Sequence, residues 1–400
     1  MENYGIYRQL LADNHYVSLT KALNSAVSTK KTLATMKRIT KKEILYSHMG
    51  QLVIKDGICY STFLQNTGDD GEGHSSTTSG VVLAIFRLDR VMSDDFCVDN
   101  DVEYYPVGKK GDVCAGYKAN SIFKDNSMCL VGDKLYVCFS FVTEEDKAYI
   151  FSKTFDINTK NWIDESVVTL RYNDKDYMFT DETLNIIYGD KGVKQGAKSL
   201  IELVSQWSEY KGEYYATGLT IQGINNGVIV KTRDFKTMEL VDIVPFNDQG
   251  CAEIASYIYK DMLFVGCRQF YGVPYMYVGV MDLPTLTWKH HYKIPDANSR
   301  PWFFEYQNEL YLINTIEEKY RRYCNISRVR TVDDANPIYK YRTPVETVAT
   351  LRECGMYWGM AEYEGEIYFV CTKNTESFAK LNLSLHNVDE VNEKLMEIFE

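Results

Sequence analysis

The stretch EYEGEIYFV, Glu362–Val370, runs from a glycine set for a tight turn straight into an apolar, aromatic strand. The same grammar recurs along the chain as KDGICY, VGDKLY, YKGEYY, YKDMLF, YQNELY and YEGEIY. The aligned aromatics are Tyr60, Tyr136, Tyr215, Phe264, Tyr311 and Tyr368, and three residues before each stands Gly57, Asp133, Gly212, Asp261, Asn308 or Gly365. These residue types accept a left-handed backbone in a two-residue hairpin. The intervals between aromatics are 76, 79, 49, 47 and 57 residues. The later ones approach the length of one four-stranded propeller blade, and the earlier ones leave room for insertions.

Composition agrees with strands. Of 400 residues, 45% are hydrophobic, with 31 Tyr and 18 Phe, while eight Pro and 25 Gly argue against a fibrous or disordered chain. The expected fold is therefore all-β: a six-bladed β-propeller with short N-terminal and C-terminal helical extensions. The divisions are a basic helical extension over residues 1–44, the propeller over 45–385, and an amphipathic helix over 386–400. In the first, Ile6, Leu10, Leu11, Val17, Ala22 and Leu23 recur at roughly helical spacing. In the last, Val388, Val391, Leu395 and Ile398 form a stripe behind an Asn387 N-cap with Glu390 in the first turn.

No apolar run reaches the roughly 18 residues of a membrane span, and the N-terminus shows no basic segment followed by an apolar core and a cleavage site. The localisation expected from this is cytoplasmic or virion-associated, with no membrane partner. The ten cysteines show neither a CxxC pair nor Cys/His metal spacing. They are read as reduced core residues, Cys59, Cys138, Cys267 and Cys371 among them, with no metal and no cofactor. The net charge is −11, yet residues 1–44 carry eight Lys/Arg against three acids, which leaves −16 for the remainder. Such an acidic body excludes general nucleic-acid binding. The basic arm is either a solvated lead-in or the contact for an anionic protein partner.

A second repeat marks the outer hairpins: Asp156-x-x-Thr159-x-x-Trp162, Asp234-x-x-Thr237-x-x-Leu240 and Asp282-x-x-Thr285-x-x-Trp288. The Asp is expected to accept backbone N–H bonds within the turn, a structural task. Residues 165–200 are read as an insertion on one face.

Chemistry is sought on the inner strands, beside the repeated turns. In EIASYIYKDMLFVGCRQ, Glu253 precedes a turn and Arg268 follows it, so the two face each other across a hairpin. This fits a structural ion pair, and equally an Arg poised to grip a carboxylate or a sugar hydroxyl. With the outer-hairpin motif, which resembles a degenerate Asp-box lacking its usual Gly, the hairpin resembles the sialidase (BNR repeat) β-propeller superfamily. The resemblance implies a retaining glycoside hydrolase acting on an acidic glycan. Tyr357, before the sixth turn in ECGMYWGMAEYEGEIYFV, would then be the nucleophile, with Glu253 its partner. Arg268 and Arg321, the latter preferred over Arg322, would hold the substrate carboxylate, with Arg300 a further basic candidate. Asp125 would supply the general acid, with Asp69 and Asp70 as alternatives. His48 stands where the family places its first carboxylate-binding Arg. Two other readings of the same residues remain open: a non-catalytic glycan-binding or structural propeller, such as a phage appendage protein, and a polysaccharide lyase using His48 or His74 with Tyr357 and Arg268.

Overall fold

The computed structural model describes residues 36–67, 80–192, 200–203, 205–221, 227–246, 250–269, 275–296, 299–315, 323–329, 345–352, 356–373 and 375–381. All six repeated turns connect the first strand of a sheet to its second. The aromatics Tyr60, Tyr136, Tyr215, Phe264, Tyr311 and Tyr368 each lie near the start of that second strand. Four of the turns have a positive φ at both central residues: Asp56–Gly57, Lys211–Gly212, Gln307–Asn308 and Glu364–Gly365. This is the hairpin turn whose twist matches that of the strands it joins. In the other two only the first central residue, Gly132 or Lys260, is left-handed. There the position expected at Asp133 or Asp261 shifts back by one.

Sheet 1 is a four-stranded antiparallel meander of Tyr46–Lys55, Ile58–Asn66, Gly80–Arg87 and Val102–Lys109. Sheet 2 consists of Tyr117–Val131, Lys134–Thr143, Ala148–Asp156 and Asn161–Val167, with the short strand Val113–Cys114 on its first member. Sheet 4 (Cys251–Tyr259, Met262–Gln269, Tyr275–Asp282, Thr287–Pro295) and sheet 5 (Trp302–Tyr306, Glu309–Thr315, Tyr323–Val329, Val345–Arg352) repeat the meander. In sheet 6, Met356–Tyr363, Glu366–Lys373 and Thr375–Leu381 are completed at the outer edge by Lys37–Arg38, with Lys37 opposite Phe378 and Arg38 opposite Ser377.

Sheet 3 departs from this plan and overturns the expectation of a six-bladed propeller: the propeller has five blades, and the remaining sheet is seven-stranded and mixed. Its inner strand is split into Leu200–Leu203 and Ser208–Tyr210, both paired with Glu213–Ile221. Beyond Gly227–Thr232 and Thr237–Ile243 it is extended by the hairpin Thr169–Tyr172/Lys175–Met178, whose first strand runs parallel to Thr237–Ile243. The cause lies in residues 168–190, part of the segment read from the sequence as an insertion on one face. Val168, Leu170 and Phe179, with Leu184, Ile187 and Tyr188 of helix α1 (Asp181–Asp190), are buried against Val228, Val230 and Met238. A segment with this much apolar side chain is more stable packed on the sheet than solvated. Thr180 caps the helix, its Oγ1 accepting from the Thr183 N–H at 3.2 Å.

Within the basic N-terminal extension, Lys37 and Arg38 form a strand. Arg38 then organises the following turn, donating to the carbonyls of Thr40, Lys41 and Ile44. Residues 1–35 and the proposed helix at 386–400 lie outside the described residues. No described helix is long and apolar enough to cross a membrane.

An apolar cluster fills the gap between each pair of neighbouring sheets. The last, with Leu52, Phe63 and Val82 of sheet 1 against Tyr368 and Val370 of sheet 6, closes the ring. On the outer hairpins the Asp residues act as expected. Asp156 accepts from the N–H groups of Asn158 and Thr159, Asp234 from those of Lys236 and Thr237, and Asp282 from that of Thr285.

One cysteine reading is overturned. Cys251 and Cys267 are joined by a disulfide, Cα to Cα 5.9 Å, across adjacent strands of sheet 4, and Cys324 is also disulfide-bonded. The sequence shows no pairing because the partners are 16 residues apart and meet only through the hairpin register. Cys59 and Cys138 are free and buried as expected, Cys371 is buried, and Cys97 is the exposed member. Burial pushes the thiols of Cys59 and Cys129 up, and those of Cys114 and Cys138 to about 12. Among the described cysteines, therefore, a thiol-alkylating reagent at neutral pH should modify Cys97 in the native protein. The other free thiols should react only after unfolding, and Cys251 and Cys267 only after reduction, as peptide mass mapping would read.

Candidate functional site

The inner strands of sheets 1, 4 and 6 share an irregularity. Pairing skips from His48 to Gln51, from Cys251 to Ile254 and from Met356 to Gly359, each time against one residue fewer on the neighbouring strand. Each skip is a β-bulge, which frees residues from the ladder and re-aims their side chains. The residues skipped by the ladder register are Met49–Gly50, Ala252–Glu253 and Tyr357–Trp358. A similar shift between Lys124 and Asn126 in sheet 2 leaves Asp125 unpaired. Three candidates from the sequence, Tyr357, Glu253 and Asp125, thus occupy bulges on three different sheets. Met49 and Tyr357 have φ of +59° and +56°, a region that bulky L-residues adopt only when the surroundings impose it.

Arg268 and Glu253 form an ion pair through Nη1 and Oε2, with 3% and 9% exposure. Cys251 and Cys267, two residues before Glu253 and one before Arg268, tie the same two strands together across the bulge. Burial disfavours the guanidinium charge, but Glu253 and, in their ionised forms, Tyr357 and Asp296 outweigh it and hold the Arg268 pKa above its ordinary value. Arg268 therefore stays cationic at any working pH and interacts electrostatically with the nucleophile candidate of sheet 6.

His48 packs against Tyr357. The two rings meet edge to face with centroids 3.9 Å apart and planes at 67°. The Tyr46 hydroxyl lies 3.2 Å from His48 Nδ1. Arg300, from the segment entering sheet 5, is fully buried. Its Nη2 donates to the carbonyls of Gly50 at 3.1 Å and Trp358 at 3.0 Å, and its Cζ lies 4.9 Å from the centre of the Trp302 ring. Tyr357, Glu253, Arg268, His48 and Arg300 are thus brought together at the centre of the ring. Asp125 lies on an inner strand as expected, whereas Arg321, Arg322, Asp69, Asp70 and His74 fall outside the described residues. Among the described residues no cluster of His, Cys, Asp or Glu is suited to hold a metal ion.

The sequence reading missed two polar groups here. Asn126 accepts a hydrogen bond from the Thr62 hydroxyl and donates to the Met49 carbonyl at 3.3 Å, while its own carbonyl accepts from Gln51 at 3.1 Å. It ties sheet 2 to the bulge of sheet 1. The buried Asp296 accepts from Asn314 Nδ2 at 3.2 Å. The available signals were the polar pair Asp125–Asn126 inside a strand and the Pro-Asp step of KIPDANSRPW.

No family model and no curated protein matches the sequence. Solved structures do resemble it. The sialidase of Trypanosoma rangeli, in complex with 2,3-difluorosialic acid as a covalent intermediate, superposes with a TM-score of 0.57 at 11% identity over 93% of this chain and 60% of its own. The Hadza microbial sialidase Hz136 gives 0.60 at 10% identity, over 88% and 69%. A protein of unknown function from Dyadobacter fermentans gives 0.58 at 10% identity, over 88% of this chain and 99% of its own. The chain shares the β-propeller fold of these structures. It spans about 60% of the length of the Trypanosoma rangeli sialidases, and at this identity the likeness is one of fold.

The buried Glu253–Arg268 ion pair lends itself to a double-mutant cycle. Glu253→Gln or Arg268→Met alone leaves a buried charge without its partner and should cost about 3–5 kcal/mol, read from urea unfolding. The double variant should lose clearly less than the sum of the two.

Proposed function

We propose that this protein is a sialidase-type glycoside hydrolase that cleaves a carboxylate-bearing sugar with retention of configuration. The observation that carries the reading is the meeting of Tyr357, Glu253 and Arg268 in one buried cluster, although 104 residues separate Glu253 from Tyr357. In this reading Glu253 takes the phenol proton as Tyr357 attacks the anomeric carbon, and the adjacent guanidinium stabilises the phenolate. A neutral nucleophile meets less repulsion from an anionic substrate than a carboxylate would. Arg268 and Arg321 hold the substrate carboxylate, Asp125 protonates the departing oxygen, and water then releases the sugar from Tyr357. His48 packs against the Tyr357 ring and sets its orientation.

Burial supports a second reading. Tyr357 and Arg268 are each 3% exposed, a degree of closure equally suited to a non-catalytic, glycan-binding propeller whose central polar groups serve structure.

The experiment uses the covalent chemistry named for the Trypanosoma rangeli structure. Incubation with 2,3-difluorosialic acid should raise the intact mass by one sugar, with the adduct mapping to the peptide containing Tyr357. Tyr357→Phe should remain folded, form no adduct, and lose at least about a thousandfold in hydrolysis of a fluorogenic acidic glycoside. If the native protein forms no adduct and gives no turnover but still binds acidic glycan, the second reading holds.

A further inference from the structure

We propose that Arg300 is a positioning residue that fixes the Tyr357 ring against His48 by clamping the two bulges that carry them. The inference deepens the reading of Tyr357 as the acting group and rests on it for its catalytic consequence. Its structural content stands apart.

Three observations converge at the seam between sheets 6 and 1. First, both bulges there contain a bulky residue at positive φ, Met49 beside His48 and Tyr357 itself. Second, Arg300 reaches from sheet 5 and donates from a single nitrogen to Gly50 O in one bulge and Trp358 O in the other. Each of these carbonyls belongs to a residue the bulge has taken out of the ladder, so each needs a donor from elsewhere. Third, the two backbones are in contact: a Cβ on Gly359 would lie 2.7 Å from Gln51 Cα and 2.7 Å from Gly50 O. The Trp302 ring against the guanidinium holds the plane of the fork. Arg300 thus connects the two strands whose relative placement decides where Tyr357 points. Its Nη2 is directed at two backbone carbonyls, whereas Arg268, the arginine assigned to the substrate, is paired with a side-chain carboxylate.

The test compares Arg300→Met, Arg300→Lys and Gly359→Ala by amide hydrogen exchange on the full chain. In Arg300→Met, exchange should quicken by about tenfold or more in residues 47–51 and 356–360, with Gly227–Thr232 of sheet 3 unchanged. Arg300→Lys keeps the charge without the fork and should show the same pattern more weakly, which serves if the Met variant does not fold. Gly359→Ala should loosen the same two segments with Arg300 intact. Uniform loosening, or no change in either segment, overturns the proposal. Where the native protein hydrolyses an acidic glycoside, Arg300→Lys should lower kcat about tenfold with KM within about twofold; a raised KM with unchanged kcat would make Arg300 a substrate contact and overturn it as well. If the native protein shows no turnover, the hydrolase reading falls while the exchange pattern still decides the role of Arg300.

Discussion

A ring of sheets depends on its closure, because any gap would leave two inner strands with open flanks and a split core. In this protein the closure is made twice. At the rim, Lys37–Arg38 pairs with Thr375–Leu381, so the chain's early residues complete its last sheet. At the centre, Gly359 lets the inner strand of sheet 6 rest on the backbone of Gly50 and Gln51. Everything proposed for the middle of the molecule depends on the strand placement set by that second contact.

The central geometry is unfavourable in isolation. A positive φ at a residue such as Tyr357 or Met49 costs on the order of 1–3 kcal/mol, and a buried carbonyl without a donor about as much again. Such features persist only where neighbouring groups impose them. The Arg300 fork, the Asn126 contacts to sheet 1, and the Cys251–Cys267 bridge beside Glu253 supply that restraint from three different sheets. A ring delivers it readily, since inner strands far apart in sequence become mutual neighbours.

The part of the fold legible in sequence was the part written in local turn chemistry. Residues such as Gly57, Gly212 and Gly365 must sit at positive φ whatever the rest of the chain does, so their recurrence marked every first hairpin. Where a turn tolerates another solution, as at Gly132 and Lys260, the mark slipped by one residue. The mixed sheet was not legible, because the parallel pairing of Thr169–Tyr172 with Thr237–Ile243 joins segments 68 residues apart, Thr169 to Thr237, and depends on tertiary packing. The bulges left no local trace either: a strand with one extra residue has the same composition as a regular one. Hence Glu253, Arg268 and Tyr357 could be picked out by their position beside a turn, while Arg300, visible as a basic residue before Pro301, gave no hint that its partners were backbone carbonyls. Asn126 and Asp296 went unnoticed because short polar residues in and beside strands are common and only burial singles them out.

These constraints also explain how one fold survives at 10–11% identity. What the ring requires of most positions is an apolar side chain of suitable volume, which many sequences satisfy. The stringent demands fall on turn residues, on the few sites where backbones touch, and on the buried polar groups at the centre. An ion pair such as Glu253–Arg268 is a weak source of stability, since a well-packed apolar pair of similar volume is often as good or better. Its placement on a bulge, bridged by a disulfide and coupled to Tyr357, is instead what an oriented, permanently charged guanidinium would need. Architecture alone does not name a reaction; the hydrolase reading draws its weight from strained backbone and buried charge being concentrated where three inner strands meet.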